Sequence, residues 1–212
     1  HFNWVRSYHI DEKQKNISKE FIPPHYCVLM HDDIVLENNR VGTTSVATID
    51  LHDIARSAKT YGLRNFFIST PLKDQQKIIN KLIDFWNSDA GKGYNDNRSE
   101  AIAALDIVDT LDQAIEKIEK KEGKKPVLIA TSACSTKEKV EKITYFDQEK
   151  IWDIDRPVLI VFGTGRGLSK NILKKCDYIL DPIEGFSEYN HLSVRSAAAI
   201  VFDRWLGINP MD

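Results

Sequence analysis

The residues best suited to chemistry cluster between Val158 and Val194. The apolar run PVLIV leads into Phe162-Gly163-Thr164-Gly165-Arg166-Gly167-Leu168-Ser169, three glycines in five positions. A second short apolar run, Tyr178-Ile179-Leu180, is followed by Pro182-Ile183-Glu184-Gly185 and by Tyr189-Asn190-His191-Leu192-Ser193-Val194. Closely spaced glycines let backbone amides approach a ligand without side chains in the way. The alternative for the same residues is a tight strand-to-helix turn with no ligand.

A Walker A loop is excluded, because Lys-Ser/Thr does not follow the final glycine. A dinucleotide fingerprint is excluded by position. Such a loop opens a doubly wound domain, and only about 50 residues remain after Gly163. Open α/β sheets bind ligands beyond the carboxyl ends of their strands. Three such ends carry small or glycine-rich segments: Thr131-Ser132-Ala133, Gly163 to Gly167, and Ile183 to Gly185 running into Leu192-Ser193-Val194. They offer amides and carbonyls but few charges. An adenine with its ribose suits that chemistry better than a triphosphate does.

The elements that must position these loops are legible as apolar runs and helical periodicity. Strands are expected at Tyr26–Met30, Asn65–Ser69, Asp106–Val108, Pro126–Ala130, Pro157–Phe162 and Tyr178–Leu180. Between them, helices are expected from Asp50 to Gly62 (Asp50 as N-cap, Gly62 as C-cap), after Thr70-Pro71, from Leu111 to Lys121, from Leu168 to Lys175, and from Asn190 to Leu206. His31–Ser45 and Ser88–Arg98 are expected as polar loops, and 135–155 as helix or loop. Strands that read as unbroken apolar runs, alternating with helices, predict an α/β fold: a mostly parallel sheet with helices on both faces. The expected organisation is an N-terminal extension over 1–24 and a single domain over 25–212.

Composition narrows the classes further. The chain has 212 residues, 42% hydrophobic and 28% charged, with a formal net charge of -2, so no global basic field marks it for DNA or RNA. Cys27, Cys134 and Cys176 are odd in number and dispersed, which argues for reduced thiols in a cytoplasmic protein and against a disulfide framework or a metal site. No apolar run approaches the ~20 residues needed to span a membrane. The opening HFNWVRSYHIDEKQKN is too polar for a signal peptide.

Three segments, HDIARSAKTYG, FGTGRGLS and YNHLSVRSAAAIVFDRWLG, resemble in order the three motifs of the SPOUT (α/β-knot) RNA methyltransferases. The branch they are most similar to is the one related to the tRNA guanine-N1 methyltransferases, to which such a domain is sometimes joined. The resemblance covers roughly residues 25–208. It implies S-adenosylmethionine as cofactor, RNA (tRNA or rRNA) as substrate, a C-terminal deep trefoil knot, and a homodimer. It also implies cofactor contacts, mainly from backbone, at Thr131, Ser132, Gly163, Gly165, Gly167, Ile183, Leu192, Ser193 and Val194.

Arg56 stands where the family's first motif carries an arginine near the substrate; an ion pair with Asp53, one turn earlier, is the competing role. His191 is a candidate acid/base and equally a capping or packing histidine. Asp53 is a candidate catalytic carboxylate or a helix-start residue. Arg166 is a candidate for substrate phosphate, or a solvated side chain. Tyr94, Asn95 and Arg98 could stack an unpaired base. Where the ribose methyltransferases of this class carry a Glu in the second motif, this chain has Gly165-Arg166, and its third motif has His191 and Ser193. A base nitrogen is therefore the expected acceptor rather than a ribose hydroxyl. Two other readings remain: a knot module that binds cofactor or RNA without catalysis, and a nucleotide-binding α/β enzyme unrelated to methylation.

Overall fold

A computed structural model of the chain describes residues 22–133 and 139–207. The extension expected over 1–24 lies almost wholly outside the described residues, as does Cys134. Strand β1 (His25–Met30) is buried at all six positions. The segment expected as a plain loop from His31 to Ser45 instead contains a small antiparallel ribbon, β2 (Ile34–Val35) with β3 (Val41–Gly42). Asn38 and Asn39, both at positive φ, turn the chain between them.

Helix α1 (Thr48–Thr60) begins two residues before Asp50. Asp50 is therefore not the N-cap. It lies in the first turn, where a carboxylate favours the helix dipole and remains available to a partner. Gly62, at φ +75, ends the helix one place beyond Tyr61. After β4 (Asn65–Ser69), α2 (Lys73–Asn87) starts later than Thr70-Pro71 predicts. The Thr70 hydroxyl accepts from the Leu72 amide instead of capping at its own position.

The expected Ser88–Arg98 loop is two short helices, α3 (Asp89–Tyr94) and α4 (Asp96–Ile102). Ser88 Oγ accepts from Gly91 N–H and Asn95 Oδ1 from Arg98 N–H, so each helix opens on a side-chain cap. Gly91 sits where α3 turns back on α2. A Cβ there would lie 2.3 Å from the Phe85 carbonyl oxygen, so only glycine allows the approach.

The chain continues through β5 (Leu105–Val108), α5 (Leu111–Glu122), β6 (Val127–Thr131), β7 (Glu141–Ile143) and α6 (Gln148–Trp152). Then follow β8 (Val158–Gly163), α7 (Lys170–Lys175), β9 (Tyr178–Leu180) and α8 (Val194–Leu206). β7 falls in a segment expected to hold no strand; its exposed Glu141 and Lys142 hide the apolar signal. α8 starts at Val194 rather than Asn190, because Ser193 caps it by accepting from Ser196 N–H.

Seven strands form one sheet in the order β5-β4-β1-β8-β6-β9-β7, every pair parallel. Alternate residues enter opposite layers. Cys27, Leu29, Ile160 and Phe162 pack with α1, α2, α4 and α8, whereas Val28, Leu159 and Val161 pack with α5 and α7. Both faces are thus covered, as the apolar runs predict. The register pairs Met30 with Gly163, Ala130 with Val161 and Thr131 with Leu180. The carboxyl ends of β1, β8, β6 and β9 are therefore brought flush along one edge.

Candidate active site

That edge opens into a cavity of about 900 Å3. Thr131 and Ser132 line it from the end of β6, Gly163, Gly165 and Gly167 from the end of β8, and Ile183, Leu192, Ser193 and Val194 from the segment after β9. The strand order explains the convergence, since β8 and β9 flank β6. A bond from Asn190 Nδ2 to the Ala133 carbonyl, 2.9 Å, ties two of the loops together.

The glycine loop differs from a free amide cradle. Arg166 N–H donates to Val35 O at 3.0 Å, Val35 N–H to Gly167 O at 2.9 Å, and Gly167 N–H to Thr164 O at 3.0 Å. These groups hold the loop against the β2–β3 ribbon. Gly165 (φ +58) lies so close beneath it that a Cβ would approach Ile34 Cγ2 at 3.0 Å and Val35 O at 3.1 Å. With amides engaged inside the protein, the loop forms a wall for a mostly neutral ligand rather than an anion nest.

The charged candidates divide between places. Arg166 is exposed and lines the main cavity. His191 also lines it, exposed, with its ring 5.3 Å from that of Tyr189. Asp53 and Arg56 line a second, smaller hollow of about 450 Å3 between α1 and α8. The ion pair of Asp53 is not with Arg56 but with Arg195, Oδ2 to Nε at 3.6 Å. Arg195 also donates from Nη1 to Asp50 Oδ1 at 3.0 Å. It lines both hollows and joins them, a residue the sequence reading passed over. The available signal was its position two residues after the capping Ser193, but its acidic partners lie about 145 positions earlier.

Tyr94 and Arg98 are not among the residues lining either hollow. They gather at a different corner, around Trp86: the Arg98 guanidinium lies 5.2 Å from the indole centroid and the Tyr94 ring 6.2 Å. His52 meets the same indole edge-on at 5.6 Å, and burial, then the Arg98 charge, lowers its pKa.

His31 and Thr44 also line the main cavity, as does Asp50, which was expected only as a helix cap. Burial brings the His31 imidazole down to about 4, against the opposing charge of Asp50. Tyr145, half-buried on the same wall, has its pKa raised by burial although Arg204 opposes the shift. Among the described residues, no group of His, Cys, Asp and Glu could hold a metal.

Residues 24–207 match the model of a family described as SAM-dependent RNA methyltransferase. The chain belongs to this family. It is 42% identical, over 86% of its length, to the tRNA (guanine-N(1)-)-methyltransferase of Nitratidesulfovibrio vulgaris, but covers only 42% of that relative. It is 38% identical to an uncharacterized protein of Aquifex aeolicus, covering 88% of this chain and 90% of the other. In fold it is similar to the SpoU methyltransferase AviRb from Streptomyces viridochromogenes, solved with the cofactor AdoMet: the TM-score is 0.54 at 17% identity, over 87% of this chain and 57% of that one. The resemblance read from the three motifs thus holds for the family and the fold, and this methyltransferase family uses S-adenosylmethionine.

The main cavity fits that cofactor. Its volume lies toward the upper end of small-molecule sites, which run to about 1,000 Å3. Its walls combine apolar Ile183, Leu192 and Val201 with polar edges at Thr131 and Ser193. One buried ring nitrogen in it, His31 Nε2, meets no partner among the described residues.

Proposed function

We propose that this RNA methyltransferase acts on a base nitrogen, in tRNA before rRNA, with cofactor and target base sharing the carboxyl-edge cavity. The observation that carries the reading is the convergence of the three loops after β6, β8 and β9 on one hollow, flanked by Arg166 and by Arg195 with its two carboxylates. The relatives' printed activity supports guanine as the base and tRNA as the RNA.

When bound, the cofactor supplies an electrophilic methyl group on a sulfonium. Thr131–Ala133, Gly163–Gly167, Ile183 and Leu192–Val194 would hold it. The remaining task of the protein is alignment and proton removal. The cavity would align the target nitrogen with that methyl group, and the nitrogen's proton would pass to a cavity acceptor. His191, at the rim, is the proposed acceptor; Asp50, held by Arg195, is its competitor inside the same hollow. Asp53 acts through Arg195, keeping that guanidinium oriented. Arg56 and Arg166, both exposed, contact the RNA backbone. Tyr94 and Arg98 provide a separate stacking point for an unpaired base.

The reading extends to a homodimer with a C-terminal trefoil knot, working in the cytoplasm. Among the described residues, no helix is long and apolar enough to cross a membrane. The alternative of a non-catalytic binding module has two observations in its favour: Asp50 is already bonded to Arg195, and His191 is exposed. Incubation with labelled cofactor and total RNA, followed by nucleoside analysis, decides between them. Label in a tRNA base supports the enzyme. Tight cofactor binding with no label in any RNA supports the module.

A further inference from the structure

His31 follows the last residue of β1 and is only 1% exposed. Its backbone is fixed on both sides: its N–H donates to Ser69 O at 2.9 Å, and its carbonyl accepts from Thr44 N–H at 2.7 Å. The residue is among those lining the main cavity. One ring nitrogen, Nδ1, lies 3.1 Å from Thr44 Oγ1. The other, Nε2, is buried without a hydrogen-bond partner among the described residues.

The neighbouring bonds reveal which nitrogen carries the proton. The Met30 carbonyl can only accept, so the Thr164 hydroxyl donates to it at 2.9 Å. Thr164 Oγ1 then accepts, across 2.5 Å, from the Thr44 hydroxyl. With that proton committed, Thr44 Oγ1 is an acceptor toward His31, and Nδ1 must be the donor. A competing bond from the Thr44 hydroxyl to the His31 carbonyl is 3.5 Å long and loses to the shorter one. The chain Nδ1–H to Thr44 to Thr164 to Met30 O leaves Nε2 as a bare lone pair.

A bare acceptor that is buried loses its water and gains nothing in return, which native interiors rarely tolerate. Protonation offers no relief at neutral pH, because burial holds the imidazole in its neutral form. Asp50, 14% exposed on its side chain, adds a second acceptor on the same cavity wall, and Arg195 occupies only its Oδ1 by a close hydrogen bond. Among the described residues, none donates to Nε2. Resting on the reading of this cavity as the cofactor and base site, we propose that His31 Nε2 accepts a hydrogen bond from an N–H group, amino, imino or ammonium, of the molecule bound there. Such a group has two sources, the cofactor or the target nucleobase.

The test uses the unaltered protein with 15N-labelled histidine. Long-range nitrogen–proton NMR correlations should show His31 in the Nδ1–H tautomer when free, with Nε2 resonating as an unprotonated nitrogen. Adding S-adenosylmethionine alone, or unmodified tRNA alone, separates the sources: the one that supplies the donor moves the Nε2 resonance upfield while Nδ1 keeps its proton. Calorimetry on the same samples reports binding. A ligand that binds while Nε2 stays still in both titrations, or an Nε2–H tautomer in the free protein, overturns the inference alone. Failure of either ligand to bind overturns the reading of the cavity, and the inference with it. In a second arm, His31→Phe puts an aromatic ring that cannot accept in place of the imidazole; affinity for the same source should fall about tenfold, with the other source unaffected. An unchanged affinity in a folded variant contradicts the proposal.

Discussion

The carboxyl-edge cavity and the Trp86 corner both hold residues singled out as candidates, yet they are built in opposite ways. The cavity is made by main chain: strand ends in register, glycines beneath the β2–β3 ribbon, and loops tied by Asn190. The corner is made by side chains around one indole: Tyr94 and Arg98, on short helices capped by Ser88 and Asn95, and His52 from α1. A main-chain site is as rigid as the sheet that carries it. A side-chain cluster can lose a member and keep its neighbours. Substitutions should therefore act steeply in or beside the cavity and weakly at the corner.

The largest effect should come from Arg56→Ala, which is expected to lower methyl transfer by about a hundredfold or more while calorimetry finds cofactor affinity nearly unchanged. Equal loss of both would make Arg56 a structural residue and blur the contrast between the two hollows. Comparing His191→Ala with Asp50→Asn then identifies the proton acceptor: the variant that loses about 10²–10⁴ in rate names it. Loss in neither would show that the proton acceptor is another group.

Gly163→Ala probes the main-chain wall directly. The new Cβ would lie 2.8 Å from Leu168 N and 3.0 Å from the Gly167 carbonyl carbon. Destabilisation of about 1–3 kcal/mol and weakened cofactor binding are expected in denaturant titration and calorimetry. Wild-type behaviour would refute the idea that this wall is rigid.

Acid should loosen the same edge and its opposite end together. His31 at the carboxyl end of β1 and His25 at its start, which accepts from Trp205 Nε1 at 3.0 Å, are both lowered to about 4 by burial. Below their ordinary value of 6.5 the unfolded chain binds protons that the folded chain refuses. Their contribution is therefore complete above pH 6.5 and is lost as pH falls toward 4, by up to about 3 kcal/mol each. Thermal melts across pH 7 to 4 check this, and His25→Gln should flatten part of the slope.

The smallest effect belongs to the corner. Tyr94→Ala should weaken RNA binding by about 1 kcal/mol, visible as a raised KM for RNA with kcat and cofactor affinity retained. A collapse of kcat would show that the corner is coupled to the cavity, and the division drawn between them would fall.

Much of this molecule was legible before folding, because its signals are local. Apolar runs mark buried parallel strands, and a glycine-rich or small-residue segment directly after such a run marks a carboxyl-end loop. The cavity's loops follow from that alone, whereas the family motifs were legible only by their resemblance to a known family. Even the missed α3 and α4 had local caps, obscured because Gly, Asn and Asp between Ser88 and Arg98 resemble a loop in composition.

What tertiary structure decided is non-local. Placing β8 between β1 and β6 brings Thr164 to Thr44 and the glycine loop under a ribbon 130 residues earlier. The pairing of α1 with α8 gives Asp50 and Asp53 to Arg195 rather than to Arg56. A ring nitrogen just after β1 becomes an acceptor without a partner among the described residues because Thr44 and the distant Thr164 orient its neighbour toward the Met30 carbonyl. Periodicity and composition report what a residue can bury. Which donor meets which acceptor across the sheet is settled by strand order and register, and these depend on the whole chain packing at once.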